Sequence, residues 1–175
     1  MIRSTIFITA LFWAALSAAQ ESVPTRTSVG FGEVYLEESF DDWQKLCVKT
    51  DRDVDPCHLY QLVTDENGHP TLEISIVRIE GQEGIAAGAT IITPLETLLT
   101  HRLVLKLDLV GQSDFPYSWC DQRGCYVRIA LSDDDVLTMK EGDAGTIEIR
   151  SVTAPDQPVL LLMSYLGFTA GFSSL

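Results

Sequence analysis

Along most of the chain, apolar and polar residues alternate with a period of two. Leu103, Leu105, Leu107 and Leu109 alternate with Val104, Lys106 and Asp108. That is the pattern of a strand with one face in a core and Lys106 and Asp108 on the wet face. Cys125, Val127, Ile129 and Leu131 alternate with Tyr126, Arg128 and Ala130, and Ile147 and Ile149 alternate with Thr146, Glu148 and Arg150. Leu72, Ile74 and Ile76 alternate with Glu73 and Ser75, after which the phase slips to Val77 and Ile79. The slip predicts a bulge or a twist. Ala89 to Ile92 and Val159 to Met163 are unbroken runs of apolar or small residues. They read as central strands covered on both faces.

Turn chemistry separates these runs. Asn67-Gly68-His69-Pro70 is a strong turn, and Gln122-Arg123-Gly124, Glu141-Gly142-Asp143 and Ala154-Pro155-Asp156 close others. Short strands at close intervals predict an all-β fold of about 8 to 10 strands, a β-sandwich (immunoglobulin- or jelly-roll-like) or a barrel, with the sandwich preferred. One short helix interrupts them. Ser132 can cap it, Asp133, Asp134 and Asp135 suit its first turn, Lys140 its last, and Gly142 stops it. Pro94 to Leu99 is a candidate for one further helical turn. Neither an internal repeat nor a low-complexity tract is present.

The N-terminus has a different character. Arg3 precedes an apolar run from Ile6 to Leu16, and Ser17-Ala18-Ala19 supplies small residues where a signal peptidase cuts. Residues 1–19 therefore read as a signal peptide. The run is short for a membrane span, and polar residues follow from Gln20. The cleavage site has no cysteine for a lipid, and no paired arginines precede the run. After cleavage no integral membrane segment is expected. Residues 20–39 read as a lead-in, flexible to about Ser28, with a possible first strand. Residues 40–175 read as the folded domain.

Export gives the cysteines their meaning. Cys47, Cys57, Cys120 and Cys125 form an even set, which in an oxidising compartment reads as disulfides. Three pairings are possible; the local one, Cys47 with Cys57 and Cys120 with Cys125, is the simplest. Each local bond would contribute about 2 to 3 kcal/mol by chain entropy. The spacings suit neither a zinc knuckle nor a redox C-x-x-C.

The formal net charge is −13, and loss of Arg3 with the signal peptide leaves 25 acidic against 11 basic residues. Such a surface repels nucleic acid and anionic lipid. Candidate chemistry is sparse. Asp51, Asp53 and Asp55 have the spacing that opens a calcium loop, but Pro56 and Leu62 stand where that loop needs Gly and Glu. A weak surface cation site is the most that spacing offers, and a solvated loop is the stronger reading. Gly111-Gln112-Ser113-Asp114-Phe115 lacks the second glycine of a nucleophile elbow. His58, His69 and His101 show no ligand or catalytic spacing. No catalytic residue, metal or cofactor is expected. Trp43 and Trp119 each stand shortly before a cysteine and read first as covers for a disulfide, second as exposed binding aromatics. Phe115 and Tyr117, flanking Pro116, are the first place to look for a partner contact.

Several of these segments together resemble the invasion-associated locus B family. They are Trp43-Gln44-Lys45-Leu46-Cys47 with Cys57-His58-Leu59-Tyr60-Gln61, and Thr90-Ile91-Ile92-Thr93-Pro94-Leu95 before a leucine-rich strand. Trp119-Cys120 to Gly124-Cys125 with Arg128 and Leu131, and the ending Gly167-Phe168-Thr169-Ala170 to Leu175, complete the set. The resemblance spans about Phe40 to Leu175. It implies an exported envelope protein of alphaproteobacteria with a β-sandwich core and no catalytic residues to carry over. Family members in pathogens are linked to host-cell entry; others come from free-living bacteria.

The expectation is thus a periplasmic or secreted binding or structural protein. Its partner would be a protein or an envelope component. A host-cell invasion or adhesion factor is the alternative, and an enzyme or enzyme regulator with an unrecognised site a further one. N-terminal sequencing of the exported protein is expected to begin at Gln20; a start at Met1 would refute the signal peptide.

Overall fold

The computed structural model describes residues 24–107 and 111–175. The predicted signal peptide, Asp108 and Leu109 lie outside the described residues. Within them the period-two pattern becomes two antiparallel sheets packed face to face. Strands β1 (Val34–Phe40), β2 (Trp43–Val48), β3 (Cys57–Thr64), β4 (Pro70–Arg78) and β5 (Ala87–Thr93) follow one another as a meander. The chain then builds β6 (Leu103–Lys106) and β7 (Ser113–Phe115) in the second sheet and returns to the first with β8 (Trp119–Cys120) and β9 (Cys125–Leu131). Helix α1 (Asp133–Glu141) leads into β10 (Ala144–Ser151) and β11 (Ala154–Ser164), and α2 (Phe168–Ser173) follows. The first sheet has seven strands, in the order β1-β2-β3-β4-β5-β9-β8; the second has four, β11-β10-β6-β7.

The core lies between the sheets. Leu59, Ile74, Ile91 and Val127 from the first sheet meet Leu103, Ile147 and Leu161 from the second, all essentially buried. These are the inward positions of the predicted alternation. Burying such side chains, at about 1.5 to 3 kcal/mol each, is what holds the layers together.

The predicted helix forms where expected. Ser132 accepts from the Asp135 N–H at 3.2 Å, and the Asp135 carboxylate accepts from the Ser132 N–H at 2.8 Å. This reciprocal box satisfies two otherwise orphaned donors. Gly142 ends the helix in extended backbone (φ −90°), rather than by a left-handed turn. A β-carbon there would sit 3.3 Å from the Tyr165 ring, so close packing is what asks for glycine.

The expected all-β sandwich with two local disulfides is what forms; its details differ in several places. Among the described residues there are eleven strands and two helices, where 8 to 10 strands and one helix were expected. The additional strands are very short, such as β8. The additional helix, α2, is glycine-rich and forms because Phe168, Gly171 and Phe172 bury one face. Pairing of β4 with β5 is regular from Glu73 to Arg78, so the phase slip at Val77 is no bulge; Val77 is an exposed apolar residue on the outer face. A register shift lies instead in the pairing of β3 with β4, between Val63 and Thr64. The run Val159–Met163 belongs to an edge strand, with Leu160 and Leu162 in solvent. β5 is central, and its inner face is buried while its outer face is half-buried. Pro94–Leu99 is a turn carrying an isolated bridge from Thr97 to Ser151. The lead-in is tied down from Pro24, whose carbonyl accepts from the Leu36 N–H at 3.0 Å.

Helix α2 plugs one end of the sandwich. The Phe168 ring, fully buried, lies 5.4 Å from that of Trp43. Gly167 places it there with φ +86°, and a β-carbon at Gly167 would come within 1.9 Å of the Phe40 carbonyl oxygen. Phe168→Ala is expected to cost about 3 to 5 kcal/mol in chemical denaturation. Gly167→Ala should also be strongly destabilising, through both strain and clash. A loss under about 1 kcal/mol for either would contradict this account of the plug.

Candidate functional site

The first sheet presents its two loop-bearing ends in opposite directions, and a disulfide closes one loop at each. Cys47 bonds Cys57 and Cys120 bonds Cys125, and each pair is directly opposed across adjacent strands. The neighbouring backbone bonds, Val48 N–H to Pro56 O and Asp121 N–H to Gly124 O, mark both cysteine pairs as non-hydrogen-bonded positions. There opposed side chains come closest, which suits a cross-strand bond. Gly124 is required at the second staple because a β-carbon would stand 2.2 Å from the Thr93 carbonyl oxygen.

The acidic loop inside the first staple is organised around Asp55. Its buried carboxylate accepts from the Thr50 N–H and hydroxyl, both at 2.8 Å, and from the Tyr35 hydroxyl at 2.9 Å. Arg26 of the lead-in adds an ion pair at 3.1 Å. The carboxylate's acceptor capacity is thus spent on protein donors, while Asp51 and Asp53 lie exposed. The three do not converge on a cation position. Among the described residues no cluster of His, Cys, Asp or Glu could hold a metal ion.

At the other end, the outer face of the first sheet carries a row of side chains aligned by register. Leu62 lies opposite Glu73, Glu73 opposite Ile92, Ile92 opposite Tyr126, and Tyr126 opposite Trp119. The Trp119 and Tyr126 rings stack with centroids 4.6 Å apart. Trp119 keeps 45% of its surface in solvent, whereas Tyr126 is buried beneath it. Arg123 reaches back from the stapled loop to Glu73 at 2.8 Å. Asp121 holds the loop by accepting from the Arg123 N–H at 2.8 Å and the Tyr126 hydroxyl at 3.2 Å. Those bonds, the Arg123 N–H first, hold the Asp121 carboxyl below its ordinary range. Burial, aided by the Asp121 carboxylate, pushes the Tyr126 phenol up.

The arrangement offers an apolar shelf beside a fixed ion pair. Next to it lies a shallow cleft of about 210 Å³ between Leu62, Glu73, Ile92 and Arg123. Such a surface can hold a partner by ring contact and oriented hydrogen bonds.

Phe115 and Tyr117 are both half-buried and pack against the core. The Tyr117 hydroxyl is buried, facing Thr93. The segment crosses from the second sheet to the first, turns these rings inward and presents Trp119 outward. Trp43, by contrast, is fully buried and packs on Phe168, while its Nε1–H donates to the Ser164 carbonyl at 3.0 Å. The two tryptophans thus have opposite fates. Trp43 packs on Phe168, and Trp119 stacks on Tyr126. The histidines stay apart. His58 is on β3, His69 bonds Asp65 within its turn, and His101 accepts from Arg150 at 3.1 Å. Sequence reasoning missed Leu62 and Tyr126 as parts of one surface. Only the register brings them into a row, and strand alternation alone does not specify which strands are neighbours.

The model of the invasion associated locus B protein family matches residues 43–175. The chain belongs to that family. The matched span contains both staples, Trp119 and the closing helix. A similar solved structure is that of invasion associated protein b from Bartonella henselae, with a TM-score of 0.66 at 17% identity. The match covers 78% of this chain and 92% of that one, and establishes a shared fold. No curated protein matches the chain.

For this family member the Asp55 cluster has a pH signature. Bonds from the Thr50 hydroxyl and N–H, then from Tyr35 and Arg26, hold its carboxyl well below the usual range. A depressed folded-state value gives stability that is present above the unfolded value, near 3.9, and lost as pH falls below it. Thermal midpoints of the native protein should drop between pH 5 and pH 2 more steeply than those of Asp55→Asn. That variant should already be less stable at pH 7. Parallel acid profiles would exclude Asp55 as a contributor.

Proposed function

We propose that the protein is an exported, non-catalytic binding or structural component of the bacterial envelope. It meets a protein or envelope partner through the outer face of the first sheet around Trp119. The observation that carries this reading is the Trp119–Tyr126 stack beside the Arg123–Glu73 pair, a large ring held in solvent by a rigid, stapled loop. An exposed aromatic costs solvation and gains when covered, and a disulfide-fixed loop loses little entropy on binding. Export is supported by the two disulfides, which persist in oxidising compartments. Among the described residues no helix is long and apolar enough to cross a membrane.

The test is crosslinking in intact cells, with identification of the captured partner. Trp119→Ala, secreted and oxidised like the native protein, should cut specific capture about tenfold or more, as loss of a central aromatic anchor does. Equal capture by native protein and variant would overturn this choice of surface. Stoichiometric turnover of a substrate by the purified protein would overturn the non-catalytic reading.

A role in host-cell entry is a second reading. It is favoured by the family's name and by that of the Bartonella protein. The acidic surface opposes adhesion by charge alone, because cell surfaces are themselves anionic. Unchanged entry after deletion of the gene would end this reading.

A further inference from the structure

We propose that two copies of this chain associate by pairing their β11 edges antiparallel, with Leu160 of each copy opposite Leu162 of the other. The proposal is independent of the Trp119 surface, which lies on the other sheet.

The argument starts from which sheet edges are protected. β1 carries a register shift between Leu36 and Glu38, and the acids Glu37 and Glu38. β7 has 3 residues, with Asp114 paired to Arg102, and β8 has 2. Bulges, charges and shortness are the usual means of keeping an edge from pairing. β11 has 11 residues, and its second half has none of these defences. In a chain of net charge −13, residues 157–175 carry no charged side chain. Leu160 and Leu162 are 61% and 67% exposed.

Register then shows what the edge offers. Tyr165 N–H donates to Asp143 O, the next pair along from Ser164 opposite Ala144. Antiparallel alternation makes Met163, Leu161 and Val159 the residues bonded to β10. Pro158, Leu160, Leu162 and Ser164 therefore aim their backbone groups out of the sheet. Among the described residues no strand lies beyond them.

A second copy related by a two-fold axis at Leu161 fits this edge. Leu160 and Leu162 of each copy then exchange N–H and C=O bonds, and their side chains meet on the outer face. Pro158 falls opposite Ser164 of the second copy. Pro158 has no N–H to donate, and the Ser164 carbonyl already accepts from Trp43 Nε1 and Gln61 Nε2, both at 3.0 Å. The missing donor of one copy thus faces the occupied acceptor of the other, and the seam ends without an orphaned group. The uncharged edge also lets two acidic molecules approach where repulsion is least. Such a short seam predicts a weak, exchanging dimer.

The experiment is sedimentation of the oxidised mature protein from about 1 µM to about 1 mM. The native protein should pass from monomer to dimer. The double variant Leu160→Lys, Leu162→Lys should weaken association at least about tenfold. So should Leu162→Pro, which removes only an outward N–H. Val77→Lys, on the first sheet, should still dimerise. A native protein that stays monomeric, or a dimer indifferent to both edge variants, overturns the proposal. Should the variants fail to fold, amide exchange on the native protein decides. The Leu160 and Leu162 amides must slow as concentration rises, and constant rates overturn the proposal.

Discussion

The closure of the sandwich rests on one backbone carbonyl, that of Ser164. It accepts from Trp43 Nε1 and from Gln61 Nε2, so two side chains of the first sheet are bonded to the last residue of β11 in the second. Around that junction the Trp43 ring fills the gap and Phe168 covers it. A buried tryptophan N–H needs an acceptor, and a strand's outward carbonyl needs a donor. Each demand is met by the other, and the two bonds tie the sheets together at this end of the sandwich. The core leucines and isoleucines supply most of the free energy, but their contacts are non-directional. The carbonyl junction selects the alignment.

Much of the architecture is legible in the sequence. The alternation around Ile129 and Ile147 gave the inward faces correctly, because a period of two can bury only one face of a sheet that is wet on the other. Helix α1 was readable from Ser132, the acids Asp133 to Asp135, Lys140 and Gly142, since capping and end charge are local chemistry. Helix α2 was not. Its sequence, Phe-Thr-Ala-Gly-Phe-Ser, has two apolar anchors and a glycine, and it is helical only because the end of the sandwich needs a plug of that shape. The run Val159–Met163 misled for a related reason. Continuous apolarity signals burial on both faces, and here Leu160 and Leu162 are apolar without being buried.

The candidate site was half legible. The partner contact was expected at Phe115 and Tyr117, whose rings pack against the core, whereas the exposed ring nearby is Trp119, read first as a cover for a disulfide and only second as a binding aromatic. Which of these rings would face outward depends on the crossing from the second sheet to the first. That crossing is a tertiary fact with no local signature. The Asp51-Asp53-Asp55 spacing shows the converse. A loop motif was present in sequence, but a carboxylate bonded by Thr50, Tyr35 and Arg26 has spent its capacity on the fold.

Charge placement connects these points. The chain is strongly acidic, yet its acids stop at Asp156. Part of the reason is plain: Leu161, Met163, Tyr165, Phe168 and Phe172 are buried, and a charge among them would cost several kcal/mol of desolvation. That reason does not reach Leu160, Leu162 and Leu166, which stand in solvent where a lysine or glutamate would cost the fold little. Burial in the monomer thus accounts for the apolar residues on the inner side of β11, whereas Leu160 and Leu162 on its outer side are apolar without being buried.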